Sequence, residues 1–181
     1  MARLFSAIEL PDEVRAELAV GLGDVRDSAP DLKWVPPERW HITLGFYGDR
    51  DDIDRRTAWF REQAGMQRSC QVRLQAAGRF PGVLWVGVHT TDPALRALAG
   101  ALADPPVDQP DFVPHITVAR WRRGVYGNEL SRAALAVLAG YRGRWWRTDE
   151  VVLFRSDLTP DGPVYTPVDR VALSGAPGKQ R

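Results

Sequence analysis

Apolar positions recur along the chain in two rhythms, every second residue and every third or fourth, and the switches between them mark the elements. Leu4 to Leu10 reads as a first strand. Pro11-Asp12 opens a helix with the stripe Val14, Leu18, Leu22 and Val25, ended by Asp27, Ser28 and Pro30. Lys33-Trp34-Val35 is a short extended piece before Pro36-Pro37, and Trp40 to Tyr47 alternates as a strand. Asp51, Asp52 and Asp54 crowd the start of a second helix, where the macrodipole favours them; Ile53, Thr57, Phe60 and Ala64 face inward and Gly65 closes it. Val72 to Ala76 and Val83 to His89 are strands separated by a Pro81-Gly82 turn. Asp92-Pro93 starts a helix striped by Leu95, Leu98 and Leu102. Asp104 to Pro110, with three prolines and two aspartates, is a loop. Phe112 to Ala119 is a strand, Leu130 to Leu138 a helix, and Trp145-Trp146, Val151 to Phe154 and Val164 to Leu173 are strands.

Several of these strands are joined by connections too short for parallel crossovers, which need a dozen or more residues. The fold class that follows is α+β, with mostly antiparallel sheets flanked by helices. Residues 1–174 read as a single domain, and 175–181, with glycine, proline and basic residues but no stripe, as a disordered tail. A weak internal echo runs through the chain. Trp34-Val35-Pro36 leads towards one His-Ile-Thr tripeptide and Phe112-Val113-Pro114 into another, and their histidines lie 115 − 41 = 74 residues apart. A duplicated half, each copy contributing one sheet and one histidine, fits a chain of 181 residues.

Composition narrows the partners. With 24 basic against 23 acidic residues the net charge is +1, too little for a protein that holds long nucleic acid mainly by neutralising phosphates. A compact site for a terminus or a small nucleotide fits. The single cysteine, Cys70, excludes an intrachain disulfide framework and a cysteine-based zinc site. The apolar run at the N-terminus is too short for a signal peptide and nothing approaches a bilayer span, so the expectation is a cytoplasmic monomer with no membrane contact.

The candidate chemistry lies in two of the three histidines. In His41-Ile42-Thr43-Leu44 and His115-Ile116-Thr117-Val118, strand alternation puts histidine and threonine on one face and two apolar residues on the other. Two such strands fronting one cleft aim two imidazoles and two hydroxyls at a small anion. Opening a 2′,3′-cyclic phosphate needs a base for water and an acid for the departing ribose oxygen, on opposite sides of phosphorus. Histidine suits both roles, and the threonines can donate to the non-bridging oxygens without a metal or other cofactor. A lone His-x-Thr is ordinarily a half-buried polar face; two of matching pattern are not. Neither motif has a second ligand at i+2 or i+4 for zinc, and the His-x-His-x-His run of histidine-triad hydrolases is missing. His89 reads as structural. Trp34, Trp40, Trp85, Trp145 and Trp146 are assigned to the core and rims rather than to a base-stacking platform, and Trp121-Arg122-Arg123 to a solvated basic turn with the tryptophan packed inward.

With these motifs the chain resembles the 2H phosphoesterases, and within them the RNA 2′,3′-cyclic phosphodiesterases, also called 2′-5′ RNA ligases. The resemblance runs from Arg3-Leu4-Phe5 through Trp34-Val35-Pro36 and both motifs to Leu153-Phe154-Arg155-Ser156 and Gly162-Pro163-Val164-Tyr165. It implies a bilobal, pseudo-twofold fold with both motifs in a central cleft. It also implies metal-independent hydrolysis of cyclic phosphate ends to 2′-phosphomonoesters, with 2′-5′ ligation as the reverse. His41 would then be the proton donor and His115 the proton acceptor; the residues alone leave these roles interchangeable. Arg120 matches the family's arginine after the second motif and would bind substrate phosphate. Regular alternation from His115 puts it on the wrong face, however, so a bulge or strand end is required. The rival readings are a nucleotide- or RNA-binding module without turnover, and a phosphodiesterase for 2′-5′ oligonucleotides or an ADP-ribose cyclic phosphate.

Overall fold

The computed structural model describes residues 2–105, 111–122, 125–160 and 162–175, with the side chains of 125–128 left aside. Among the described residues nine strands form two sheets in which every strand pairing is antiparallel. The first sheet has the order β3 (His41–Phe46), β1 (Leu4–Glu9), β8 (Glu150–Thr159), β9 (Gly162–Ala172). The second has the order β2 (Lys33–Trp34), β6 (His115–Arg120), β5 (Val83–His89), β4 (Gln71–Phe80), β7 (Arg142–Arg147). The α+β expectation and the two-lobed, mostly antiparallel arrangement are what the structure has. No helix among the described residues is long and apolar enough to cross a membrane.

The lobes do not follow the halves of the sequence. The C-terminal hairpin β8–β9 completes the sheet begun by β1 and β3, while β2, β4 and β5 of the first half join β6 and β7 of the second half in the other sheet. The expectation of one sheet per half is therefore wrong. A hairpin buries its face wherever an open strand edge accepts it, and here each half accepts the other's strand.

Helices cover the outer faces. The stripe from Val14 to Val25 is buried throughout, yet it belongs to two helices, α1 (Asp12–Gly21) and α2 (Gly23–Ser28), separated at Leu22. Glycines flanking Leu22 lower helix propensity where the chain bends, and the Tyr141 ring packs against Gly21. Helix α3 (Ile53–Gly65) begins as expected, with the Asp52 side chain accepting from the Arg55 amide at 2.8 Å. At the start of α4 (Ala94–Ala101) the Asp92 side chain accepts from the Ala94 amide at 2.9 Å, and the stripe Leu95, Leu98 and Leu102 is fully buried. Helix α5 (Val125–Leu138) packs on β4 and β5. The apolar faces of both sheets and these helices make one continuous core, where each buried Leu or Phe contributes roughly 1.5–3 kcal/mol.

Periodicity failed at Arg56. It is buried, where Thr57 was expected to face inward, and bonds Asp51 and, at 2.7 Å, Asp104, under the rings of Tyr47 and Trp59. Of the expected tail over 175–181 only Gly175 is described; its carbonyl accepts from Arg147, next to a bridge between Ser174 and Arg68. The loop beyond Pro105 to Pro110, and Arg123, lie outside the described residues.

Candidate active site

Both motif strands behave alike. Ile42 and Leu44 on β3, and Ile116 and Val118 on β6, are buried in the core, while His41, Thr43, His115 and Thr117 face the cleft between the sheets. Each strand then bulges at one residue. On β3, Thr43 pairs with Ala7 and Gly45 with Ser6, so Leu44 is the extra residue. On β6, Thr117 pairs with Trp85 and Ala119 with Leu84, so Val118 is extra. A bulge shifts the alternation by one. The fifth residue after each histidine, Phe46 in one lobe and Arg120 in the other, is thereby turned to the cleft. This resolves the parity obstacle for Arg120: Val118 and Ala119 are both buried in succession, and the arginine faces outward.

All five sequence-derived site residues line one cleft of about 440 Å³. Its wall also carries Arg3, Lys33 and Arg39, and no carboxylate among the described lining residues. Four cations and two imidazoles thus converge in a chain of net charge +1. Such a wall favours an anion. Arg3 reaches it while paired to Asp49 at 3.3 Å and lying 5.1 Å over the Phe46 ring. Arg39 packs its guanidinium against Gly162, whose φ of +109° and missing Cβ leave room for it.

The histidines are held by the same device. His41 Nδ1 donates to the Arg39 carbonyl at 2.8 Å, and His115 Nδ1 donates to the Val113 carbonyl at 2.7 Å. A carbonyl can only accept, so in each neutral ring the proton sits on Nδ1 and Nε2 keeps its lone pair. Each ring is also flanked by two aromatic side chains. Phe5 and Tyr165 lie 5.1 and 5.3 Å from His41, and Phe80 and Trp85 lie 5.2 and 5.9 Å from His115. Beneath His41, Phe5 stacks on Phe154 in a small apolar cluster on the open face of the first sheet.

Burial is the largest influence on His41 and lowers its pKa below the ordinary histidine value of 6.5. The bond to the Arg39 carbonyl opposes this, the charges of His115 and Arg120 add to it, and Glu9 opposes it weakly. Glu9 sits directly across from His41 on β1; the position across from His115 is Gly87. The Thr43 and Thr117 hydroxyls have no protein partner among the described residues and are open to a ligand. No three His, Cys, Asp or Glu side chains gather for a metal among those residues.

His89 stands apart from the cleft, against the Trp145 ring. Trp40 and Trp146 are in the core and Trp121 packs inward, as expected. Trp145 is neither core nor rim: it is 44% exposed on the open face of the second sheet. Phe5, Tyr165, Arg3 and Arg39 received no role from the sequence. The first three lie in segments that carried the family resemblance, and β1 alternation from Arg3 puts Phe5 on the His41 face. Arg39 sits in the short 3₁₀ turn Pro37–Arg39, which has no periodicity to read.

The model of the 2′-5′ RNA ligase superfamily matches residues 10–160. The RNA 2′,3′-cyclic phosphodiesterase of Thermus thermophilus is 32% identical over 99% of this chain and 94% of its own. That of Methanothermobacter thermautotrophicus is 28% identical over 92% of this chain and 96% of its own. Among solved structures, TT0787 of Thermus thermophilus superposes with a TM-score of 0.73 at 29% identity, covering 96% of this chain and 98% of that one.

Proposed function

The chain belongs to the 2′-5′ RNA ligase superfamily, and from that premise we propose that it is an RNA 2′,3′-cyclic phosphodiesterase working by two-histidine acid–base catalysis. The observation that carries this reading is the matched pair of imidazoles, each with Nδ1 tied to a backbone carbonyl, in one cation-lined cleft.

Water attacks phosphorus in line with the 3′ oxygen. His115 Nε2 takes the water proton as the new P–O bond forms. His41 Nε2 gives a proton to the 3′ oxygen as the P–O3′ bond breaks, leaving a 2′-phosphomonoester and a free 3′-hydroxyl. Thr43 and Thr117 donate to the non-bridging oxygens and Arg120 offsets their charge. A 5′-hydroxyl in place of water runs the same steps towards a 2′-5′ linkage.

The surroundings support His41 as donor. Without an anion, burial, His115 and Arg120 hold its pKa down. A phosphate in the cleft offsets the two cationic influences and adds negative charge beside the ring, so that the Arg39 carbonyl, Glu9 and the phosphate act together against burial. Substrate arrival therefore shifts His41 towards its protonated form. His115, across from Gly87, has no carboxylate in the corresponding place. Both histidines come from one chain, so a monomer holds a complete site. The lone cysteine, buried and free, suits a reducing cytoplasm.

Purified protein is expected to convert a nucleoside 2′,3′-cyclic monophosphate to the 2′-phosphate, at an undiminished rate in excess chelator. His41→Ala and His115→Ala should each lower kcat by about 100-fold or more while the far-ultraviolet circular dichroism is unchanged. Near-normal turnover by the double variant, or activity lost to chelator and restored by a metal, overturns the proposal.

A further inference from the structure

The open face of the second sheet continues past His115 across β5 and β4 to the edge strand β7. Register identifies what it presents. Val72, Leu74, Val88 and Trp146 point into the core, so their neighbours Arg73, Gln75, His89 and Trp145 share the open face with Trp85 and His115. Trp85 lies flat over Gly78. At the far edge the Arg73 guanidinium sits 4.6 Å over the Trp145 ring, with His89 5.7 Å from the same ring. Arg142 is near enough that its charge, after burial, disfavours the protonated form of Arg73.

Neither Arg73 nor Arg142 is paired with a carboxylate among the described residues, and Arg73 Nε is buried without a partner. The first sheet is different. There Arg170 is clamped between Glu9 at 2.5 Å and Glu150 at 2.7 Å, so its charge is already met by carboxylates. Two mutually repelling arginines beside an exposed indole are the elements of a single-strand nucleic-acid surface, where rings stack bases and cations follow the backbone. The same face holds His115.

We propose that the open face of the second sheet, from Trp85 to Trp145, is the track for the RNA strand 5′ to the cyclic phosphate, with Trp145 stacking a base and Arg73 and Arg142 meeting phosphates. This rests on the phosphodiesterase reading above. A 2′,3′-cyclic phosphate closes the 3′ end of a strand, so the remaining polymer leaves the cleft from one side only. From β6 to β7 is three strand spacings, about 14 Å. That is about four nucleotides at a stacked rise of ~3.4 Å.

The test compares a nucleoside 2′,3′-cyclic monophosphate with a hexaribonucleotide ending in the same group. Trp145→Ala and the double variant Arg73→Gln/Arg142→Gln should lower kcat/KM on the hexaribonucleotide by about 5- to 100-fold. On the mononucleotide both should stay within about twofold of wild type, and Trp145→Phe should recover most of the loss on the longer substrate. The arginine variant should also flatten the salt dependence. Fluorescence anisotropy with a labelled hexaribonucleotide bearing an ordinary 3′-phosphate reads the track without turnover. If wild type fails to hydrolyse either substrate, the phosphodiesterase reading falls, and anisotropy still judges the track. Variants that bind and process the hexaribonucleotide like wild type, or that lose both substrates equally, overturn the inference.

Discussion

Replacing Gly78 by alanine adds one methyl group on the cleft face of β4, where the Trp85 indole lies. Its Cβ would stand 2.1 Å from Cζ2, 2.2 Å from Cη2 and 2.7 Å from Cε2 of that ring. These atoms belong to a rigid bicycle, so no rotation of a chain end relieves the clash. To open the shortest contact from 2.1 Å to an ordinary 3.4 Å, the indole must retreat by about 1.3 Å. Trp85 lies 5.9 Å from the His115 ring and 5.4 Å from Phe80, itself 5.2 Å from His115, so the displacement reaches the histidine by two routes. A misplacement of about 1 Å in a reacting group can cost ~100-fold, and overpacking costs about 1–3 kcal/mol. The expected result is kcat/KM on a nucleoside 2′,3′-cyclic monophosphate lowered about 10- to 100-fold, with a Tm about 2–12 °C lower. Adding Trp85→Leu to Gly78→Ala removes the clashing ring and should recover the lost stability, so the two substitutions will not add. If Gly78→Ala keeps wild-type kcat/KM and Tm, or if the two substitutions add independently, Trp85 does not position His115.

Arg120→Gln removes one of the charges holding His41 down, so the His41 imidazole should titrate at higher pH by NMR than in wild type; an unmoved titration contradicts the proximity of the two. Because the folded pKa of His41 lies below 6.5, the unfolded chain binds more protons between the two values. Stability from this group is complete above the unfolded value and is lost as pH falls towards the folded one; His41→Gln should flatten that slope in urea melts between about pH 5 and about pH 7.5. Arg56→Ala leaves the buried Asp51 carboxylate with only the exposed Arg55, at 3.0 Å, and the Asp52 amide, which should cost about 1–3 kcal/mol and lower Tm by about 2–12 °C; a shift under about 1 °C would show that the Arg56 pair adds nothing.

Period-two and period-3.6 patterns located most of the strands and α-helices, though not the 3₁₀ turn Pro37–Arg39 or the break between α1 and α2, because the residues that make them legible are those packed in the core. The motif strands are the clearest case: Ile42, Leu44, Ile116 and Val118 had to be buried, so His41, Thr43, His115 and Thr117 had to face away. What was not legible depends on backbone irregularity or on pairing between distant segments. The bulges at Leu44 and Val118 leave no mark in an apolar run, yet they decide where Phe46 and Arg120 point. The return of β8–β9 to the first sheet rests on an edge being open there, a property of the assembled sheet. Arg56 escaped because hydropathy scores a charge as outward, whereas two aspartates and two rings make its burial tolerable. Trp145 escaped for the converse reason, an apolar ring set outside the core against an arginine.

The duplicated frame explains why the chemistry is a pair, and the departures from duplication explain why the proposed pair has a direction. In both lobes the histidine is anchored by the carbonyl two residues before it, flanked by two aromatic rings, followed by threonine, then by a bulge. A strictly symmetric site would hold two imidazoles of equal proton affinity, and neither would be preferred as acid. Symmetry is broken at two corresponding positions. Across from the histidine stands Glu9 in one lobe and Gly87 in the other; five residues after it stands Phe46 in one lobe and Arg120 in the other. The carboxylate lies beside His41 and the cation in the lobe of His115. An anion in the cleft screens the cation and leaves the carboxylate in force, so substrate binding itself raises the proton affinity of His41. In the proposed mechanism the acid is thus armed by the phosphate whose 3′ ester oxygen it protonates, and release of product would disarm it again.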